Sequence, residues 1–312
     1  MDLAYLRQHP HHLPTFLTHQ RIRETPVAGG SICQASRLTL DDGNSVFAKT
    51  WPAARPAAGP PGQPTGEAPG GPPAGFFAAE AAGLNWLREA GAVPIPGVIA
   101  ALPDMLALEW IDGGTPSARA AEDLGRGLAT LHRSGADSFG AAWPGYIGAL
   151  PMPNDPSGGP WPEWFAAARL EPFLRISADR GALSASDVAA VTEVLRDIDR
   201  YAGPAAGEPP ARIHGDLWPG NLLWAASGRV YLIDPAAHGG HRETDLATLA
   251  LFGGAPQLDR ILAGYREVWP LAPDWERRVP LHQLHLLLVH TAMFGSAYRD
   301  AVLSAIRATV RQ

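Results

Sequence analysis

Two hydrophobic periods succeed each other along the chain. Apolar and polar positions alternate from Ser36 to Leu40, "DDGN" at 41–44 supplies a turn, and Val46 and Ala48 then flank Phe47, a pattern that predicts a β-hairpin. Gly29 and Gly30 precede its first strand, and Lys49 ends its second. Helical spacing begins at "FFAAEAAGLNWLREAG", where Phe77, Ala81, Leu84 and Leu87 share a face, Gly91 is a natural stop and Glu80 falls in the first turn. "MLALEWI", residues 105–111, reads as a buried strand that "DGGT" terminates. Beyond it the spacing is mainly helical. Thr115 is placed as an N-cap with Pro116 at the first helical position, and further helices are predicted over 161–181, 186–202, 244–252, 258–268, 275–297 and to about residue 310. The expectation is an α+β chain. An N-terminal lobe, residues 1–111, carries an antiparallel sheet and one helix, and a larger, mainly helical C-terminal lobe covers 112–312. Residues 52–75 are almost wholly Pro, Gly and Ala, which predicts a solvated, mobile insertion in the first lobe rather than a linker.

Composition narrows the function. With 46% apolar and 18% charged residues, the chain has material for a sizeable core. A formal charge of -6, a pI near 6.0 and no run of basic residues argue against a general nucleic-acid binder, which needs a basic face. The one cysteine, Cys33, excludes an internal disulfide and fits a reducing compartment. The start "MDLAYLRQHPHHLP" lacks the pattern of a signal peptide, and no apolar run approaches a membrane span, so a cytoplasmic location is expected. Histidines cluster at 9–12 and 282–290, but the sequence offers no nearby Cys or acidic partner to complete a metal site, so they are assigned to surface and core.

Of the 25 basic side chains only Lys49 is a lysine. A chain biased toward Ala, Gly, Pro and Arg can keep one lysine by chance, so its companions must decide. "ARIHGDLWPGNLLW" at 211–224 and "GRVYLIDPAA" at 228–237 place Asn221 five positions after Asp216 and put Asp234 at the end of an apolar strand. Phosphoryl transfer needs little covalent chemistry from a protein but much positioning and charge neutralisation. One carboxylate orients the acceptor hydroxyl, and an amide oxygen with a second carboxylate holds magnesium against the phosphates. Asp216, Asn221 and Asp234 suit those roles in that order. Lys49 suits the α- and β-phosphates as a compact ammonium held by Glu80, where the wider fork of arginine fits poorly. Singly, each is explained as a turn residue, a strand-ending acid or a helix-dipole acid; their joint order favours chemistry.

"HGDLWPGN", "LIDPA" and "GHRETDLATLALFGG" resemble the fructosamine kinase (ketosamine kinase) family, a branch of the protein-kinase-like fold that also holds aminoglycoside phosphotransferases and choline kinases. The resemblance implies the two-lobed protein-kinase-like fold, ATP and Mg2+ as cofactors, and phosphorylation of a hydroxyl of a fructosamine or ribulosamine, free or on a glycated protein lysine. It implies that backbone groups of Glu109 and Ile111 grip adenine, with Leu108 behind the ring, and that the Gly29–Gly30 turn covers the phosphates. Trp218 is near enough to Asp216 to line the acceptor pocket, with Phe294 and Tyr298 as candidate additions or core residues. His214 is expected to brace the catalytic loop. Cys33, in the hairpin next to that turn, is expected to be a small buried apolar residue rather than a redox group. Two alternatives stay open: a small-molecule kinase of the aminoglycoside or choline type, and a catalytically inactive nucleotide-binding regulator.

Overall fold

The computed structural model describes residues 3–13, 15, 22–28, 32–52 and 71–311. It divides into two compact units, Met1–Asn85 with Pro96–Ile111, and Trp86–Ile95 with Asp112–Gln312. Gly29, Gly30 and residues 53–70 of the Pro/Gly-rich insertion lie outside the described residues, and Cys33, expected to be buried, is half-buried.

In the first unit, β1 (Arg23–Pro26), β2 (Gln34–Thr39), β3 (Ser45–Thr50), β4 (Val98–Ala101) and β5 (Met105–Glu109) form one sheet in the order β1-β2-β3-β5-β4, every neighbouring pair antiparallel. The expected hairpin is β2–β3. Its turn uses Gly43 at φ 82°, and the Leu40 amide closes it by donating to the Asn44 carbonyl (2.8 Å). Alternation sends Leu38, Val46 and Ala48 into a core shared with Ile99 and Ala107, and Leu6 of α1 (Leu3–Gln8) packs there too. Phe47 and Lys49 therefore take the opposite face. The sequence pattern did not show β1, whose residues are all exposed, or the four-residue edge strand β4.

Helix α2 (Phe76–Glu89) buries Phe77, Ala81, Leu84 and Leu87, as its spacing predicts. Because it starts at Phe76, Glu80 is its fifth residue, in the second turn rather than the first.

The second unit is mainly helical, with three short antiparallel strand pairs among the described residues: β6 (Gly145–Ile147) with β7 (Leu150–Met152), β8 (Ala211–Ile213) with β11 (His238–Gly240), and β9 (Leu222–Trp224) with β10 (Val230–Leu232). Its helices are α3 (Ala118–Arg133), α4 (Trp161–Phe165), α5 (Glu171–Asp179), α6 (Ala185–Arg196), α7 (Ile198–Ala202), α8 (Arg242–Thr248), α9 (Leu258–Val268), α10 (Trp275–Phe294) and α11 (Arg299–Val310). A π-helical turn, Ala166–Leu170, joins α4 to α5.

Helix α3 begins two residues later than expected. Ser117, with extended backbone, accepts the Ala120 amide on its hydroxyl (3.2 Å), so Ser117 and not Thr115 is the N-cap; "TPS" offers two hydroxyls, and only the path of the chain selects between them. Gly125 of α3 and Gly264 of α9 bring these helices backbone to backbone. A methyl at Gly125 would strike the Ile261 carbonyl, and one at Gly264 the Glu122 carbonyl. That approach sets Tyr265 against His132, and so determines the contacts that His132 makes with α8. No helix among the described residues is long and apolar enough to cross a membrane.

Candidate active site

Within the first unit, Lys49 Nζ donates to both carboxylate oxygens of Glu80 at 3.0 and 2.9 Å. The side chains are 13% and 9% exposed, so the pair sits in a partly desolvated position where it holds its geometry better than a surface pair. The sheet fixes Lys49 through its register, opposite Ala35 of β2 and Leu106 of β5. Leu108 is buried in β5 opposite Phe47. The Glu109 amide donates to the Gly97 carbonyl (2.8 Å), so that amide is engaged within the first unit. The Arg37 guanidinium covers the Trp110 ring at 4.6 Å.

In the second unit, the loop from His214 to Asn221 leaves β8 and returns through a 3-10 turn, Pro219–Asn221, into β9. Asp245 of α8 ties down its start. The Asp245 carboxylate accepts the His214 amide on Oδ2 (2.7 Å) and the Gly215 amide on Oδ1 (2.9 Å). His132 Nε2–H donates to the same Oδ2 (3.2 Å), and its Nδ1 accepts from the Tyr265 hydroxyl (2.9 Å). Burial works to raise the Asp245 pKa, but the hydrogen bonds from His132 and from the His214 amide outweigh it and hold the carboxyl below its ordinary value. Gly215 itself has φ +79°, and a Cβ there would collide with the Ala236 carbonyl and lie 2.8 Å from the His238 ring, so no other residue fits.

His214 joins the two acidic segments. Its Nε2–H donates to the Ile233 carbonyl (2.9 Å), next to Asp234, and its Nδ1 accepts the Asp216 amide (3.3 Å). Burial lowers its pKa, and both nitrogens are spent on backbone, so this ring braces the loop. Asn221, also buried, closes the cluster. Its amide nitrogen donates to the Asp216 carbonyl (2.7 Å), to Asp216 Oδ2 (3.2 Å) and to the Asp234 carbonyl (3.4 Å), which turns its side-chain oxygen the other way. Asp234 follows β10 with φ 52°, a left-handed conformation rare outside glycine. The spacing D-x-x-x-x-N followed by a strand-ending aspartate thus brings Asp216, Asn221 and Asp234 together. Their oxygens, an amide and two carboxylates, are the hard donors that magnesium takes.

Trp218 lies one residue beyond the Asp216–Leu217 step and opens an aromatic group. Its ring meets Phe252 (centroids 5.8 Å), Phe252 meets His290 (4.6 Å) and Tyr298 (5.9 Å), and Phe294 meets His290 (5.6 Å) and Tyr298 (6.0 Å). Phe252 and Phe294 are 40% and 42% exposed, so neither is a core residue. Phe252 also has φ 52°. The sequence reading named Trp218, Phe294 and Tyr298 and missed Phe252 and His290, although Phe252 stands in the quoted "LFGG". It also missed Asp245 and His132, which touch the site only through backbone or through each other.

The metal expectation for the histidines needs one correction. His282 does have an acid beside it: Glu243 Oε2 lies 3.4 Å from its Nε2, and His241 completes a buried trio with metal-ligand spacing. A separation of 39 positions hid that neighbour from the sequence. Arg278 already spans the Glu243 carboxylate at 2.8 and 2.7 Å, and His241 spends its nitrogens on the Ala205 carbonyl and the Glu243 amide. The guanidinium is the cation of this cluster.

The family model for "Fructosamine kinase" matches residues 72–312. A probable ketoamine kinase from Thermus thermophilus is 37% identical over 235 residues, 75% of this chain and 83% of that protein. One from Enterococcus faecium is 30% identical over 282 residues, 89% and 91% of the two chains. Among solved structures, a candidate fructosamine-3-kinase from Thermobifida fusca superposes with a TM-score of 0.82 at 46% identity, covering 95% of this chain and 96% of that one.

Proposed function

We propose, from the premise that this chain belongs to the fructosamine kinase family and is a phosphotransferase with an alcohol group as acceptor, that it moves the γ-phosphate of ATP to a sugar hydroxyl of a ketosamine. The observation that carries the acceptor class is the aromatic group beside Asp216. Its flat, partly exposed rings suit a sugar face and the alkyl stem of a lysine, whereas polycationic acceptors are met by acids.

In this mechanism Asp216 orients the acceptor hydroxyl and takes its proton as the oxygen–phosphorus bond forms. Asn221, through its side-chain oxygen, and Asp234, through its carboxylate, would hold Mg2+, which when bound neutralises phosphate charge. The amide of Asn221 keeps Asp216 from turning away, since it grips both the carbonyl and one carboxylate oxygen of that residue. Lys49 carries the charge for the α- and β-phosphates, and Glu80 stops its flexible stem from swinging. Adenine is assigned to the Glu109–Ile111 backbone, with Leu108 behind it.

The test is magnesium-dependent ADP release with fructosyl-lysine, ribulosyl-lysine, an aminoglycoside and choline as acceptors and Asp216→Asn as the blank. Turnover confined to the two ketosamines is expected, and a glycated protein added as a third ketosamine shows whether lysines on proteins are reached. Turnover only with the aminoglycoside or choline would overturn the acceptor class. ATP binding without transfer to any acceptor would make the chain a regulator.

A further inference from the structure

Arg169 is 1% exposed and, among the described residues, has no carboxylate partner. Its Nε–H donates to His238 Nε2 (3.3 Å), one terminal nitrogen donates to the Pro153 and Ala168 carbonyls, and the other to Asn154 Oδ1 (3.0 Å). The Trp164 ring lies 4.4 Å from its carbon centre. Burying a guanidinium costs several kcal/mol unless it is paired, and neutral acceptors with one aromatic face repay that only in part. Consistently, desolvation pulls its pKa down to about 9, which still leaves it charged near neutrality.

A second, independent feature puts it there. Arg169 sits in the π-helical turn Ala166–Leu170, where the Glu171 amide reaches back five residues to the Ala166 carbonyl. Such turns carry one extra residue and tend to mark functional positions. The chain thus spends both an irregular turn and an uncompensated charge on one contact to an imidazole.

That imidazole stands directly behind the acidic cluster. His238 Nδ1–H donates to the Ala236 carbonyl (2.7 Å), two residues after Asp234, and the ring and that carbonyl together press on Gly215, the neighbour of Asp216. Because Arg169 can only donate, His238 Nε2 must accept, and its proton must face Ala236.

We infer that Arg169 is a positioning residue that locks His238 in its Nδ1–H form and through it holds the Asp234–Ala236 bend in the shape that presents the Asp234 carboxylate to a metal ion. The inference rests on Asp234 as a metal ligand, as proposed above. It does not depend on which acceptor is used. Replacing Arg169 frees His238 to change tautomer or rotate, and the bend, already left-handed at Asp234, loses its anchor.

The experiment uses the full chain with Arg169→Met, Arg169→Lys, His238→Phe and the Met/Phe double variant. Mn2+ binding is measured in the presence of a non-hydrolysable ATP analogue, beside metal-free analogue binding and thermal unfolding. Nitrogen NMR of labelled histidines, without nucleotide, reports the His238 tautomer in wild type and in the Arg169 variants. Expected are an Nδ1–H His238 in wild type that becomes mixed in Arg169→Met, Mn2+ binding weakened about tenfold in each of the three single variants, and a double variant no weaker than Arg169→Met or His238→Phe alone, as for two members of one chain of contacts. Unchanged Mn2+ affinity in a folded Arg169 variant, or additive losses in the double variant, would overturn the inference. If neither Arg169 variant folds, His238→Phe decides, and unchanged affinity there overturns it equally. A wild-type protein that binds the analogue but no Mn2+ would sink the metal assignment of Asp234 together with this inference, whereas a change of acceptor in the turnover assay touches neither.

Discussion

Lys49 is one ammonium among 24 guanidinium groups, and its contacts give that difference a use. A point charge with rotatable donors satisfies both Glu80 oxygens, and in the proposed mechanism the same ammonium meets the phosphates, so Lys49→Arg should raise the KM for ATP several-fold, while thermal stability barely changes. Asp216→Asn should lower kcat by about three orders of magnitude and leave ATP affinity close to wild type; equal loss of both would mark Asp216 as structural. Phe252 allows a sharper test. It is held at φ 52° and left 40% exposed, so Phe252→Gly should cost no stability or add about 1 kcal/mol while raising the KM for the acceptor. A core aromatic would instead lose about 3–5 kcal/mol, visible in urea denaturation. At this scale the grouping of Asp216, Asn221 and Asp234 within the second unit was legible in the sequence, because a loop and a hairpin hold them close along the chain. His132, Asp245 and Phe252 were not legible, since each acts through contacts that close over many residues.

Elements explain how those residues are held. The α3–α9 contact through Gly125 and Gly264 places Tyr265 on His132 and His132 on Asp245, which carries the amides of the His214–Gly215 loop. Gly125→Ala should therefore destabilise the chain by about 2 kcal/mol and lower kcat through the loop, with ATP binding to the first unit's groups less affected. Retained kcat and stability would show that the helices can part without consequence. The Ser117 cap is a milder case, and Ser117→Ala should cost about 1 kcal/mol in urea denaturation with kinetics unchanged. Strongly periodic elements such as α2 and α9 were readable from spacing. Short ones such as β1, β4 and the β6–β7 hairpin were not, because three or four residues hold too few positions to establish a period.

For the whole molecule, the second unit stores histidines in neutral form. Burial lowers the pKa of His214, His238 and His290, takes His241 to about 4 and His285 to about 3. These folded values lie below the unfolded value near 6.5, so as pH falls from 6.5 toward 4 the unfolded chain binds protons that the folded chain refuses. Stability should be full above about pH 6.5 and fall through that window by on the order of 1 kcal/mol per pH unit for each histidine concerned. Urea midpoints at pH 7.5 and 5 measure it, and equal midpoints would show that these rings are protonated in the fold. Local patterns by themselves determined the α+β order of elements, the β2–β3 hairpin and the grouping of Asp216, Asn221 and Asp234, because backbone periodicity and short-range spacing act within a few residues. Only the tertiary structure decided that Asp245 carries the loop, that Phe252 and His290 join Trp218, and that a buried arginine meets His238. Those contacts depend on which surfaces pack together, and packing is settled by the burial and polar satisfaction of all the elements jointly, which no single stretch of sequence contains.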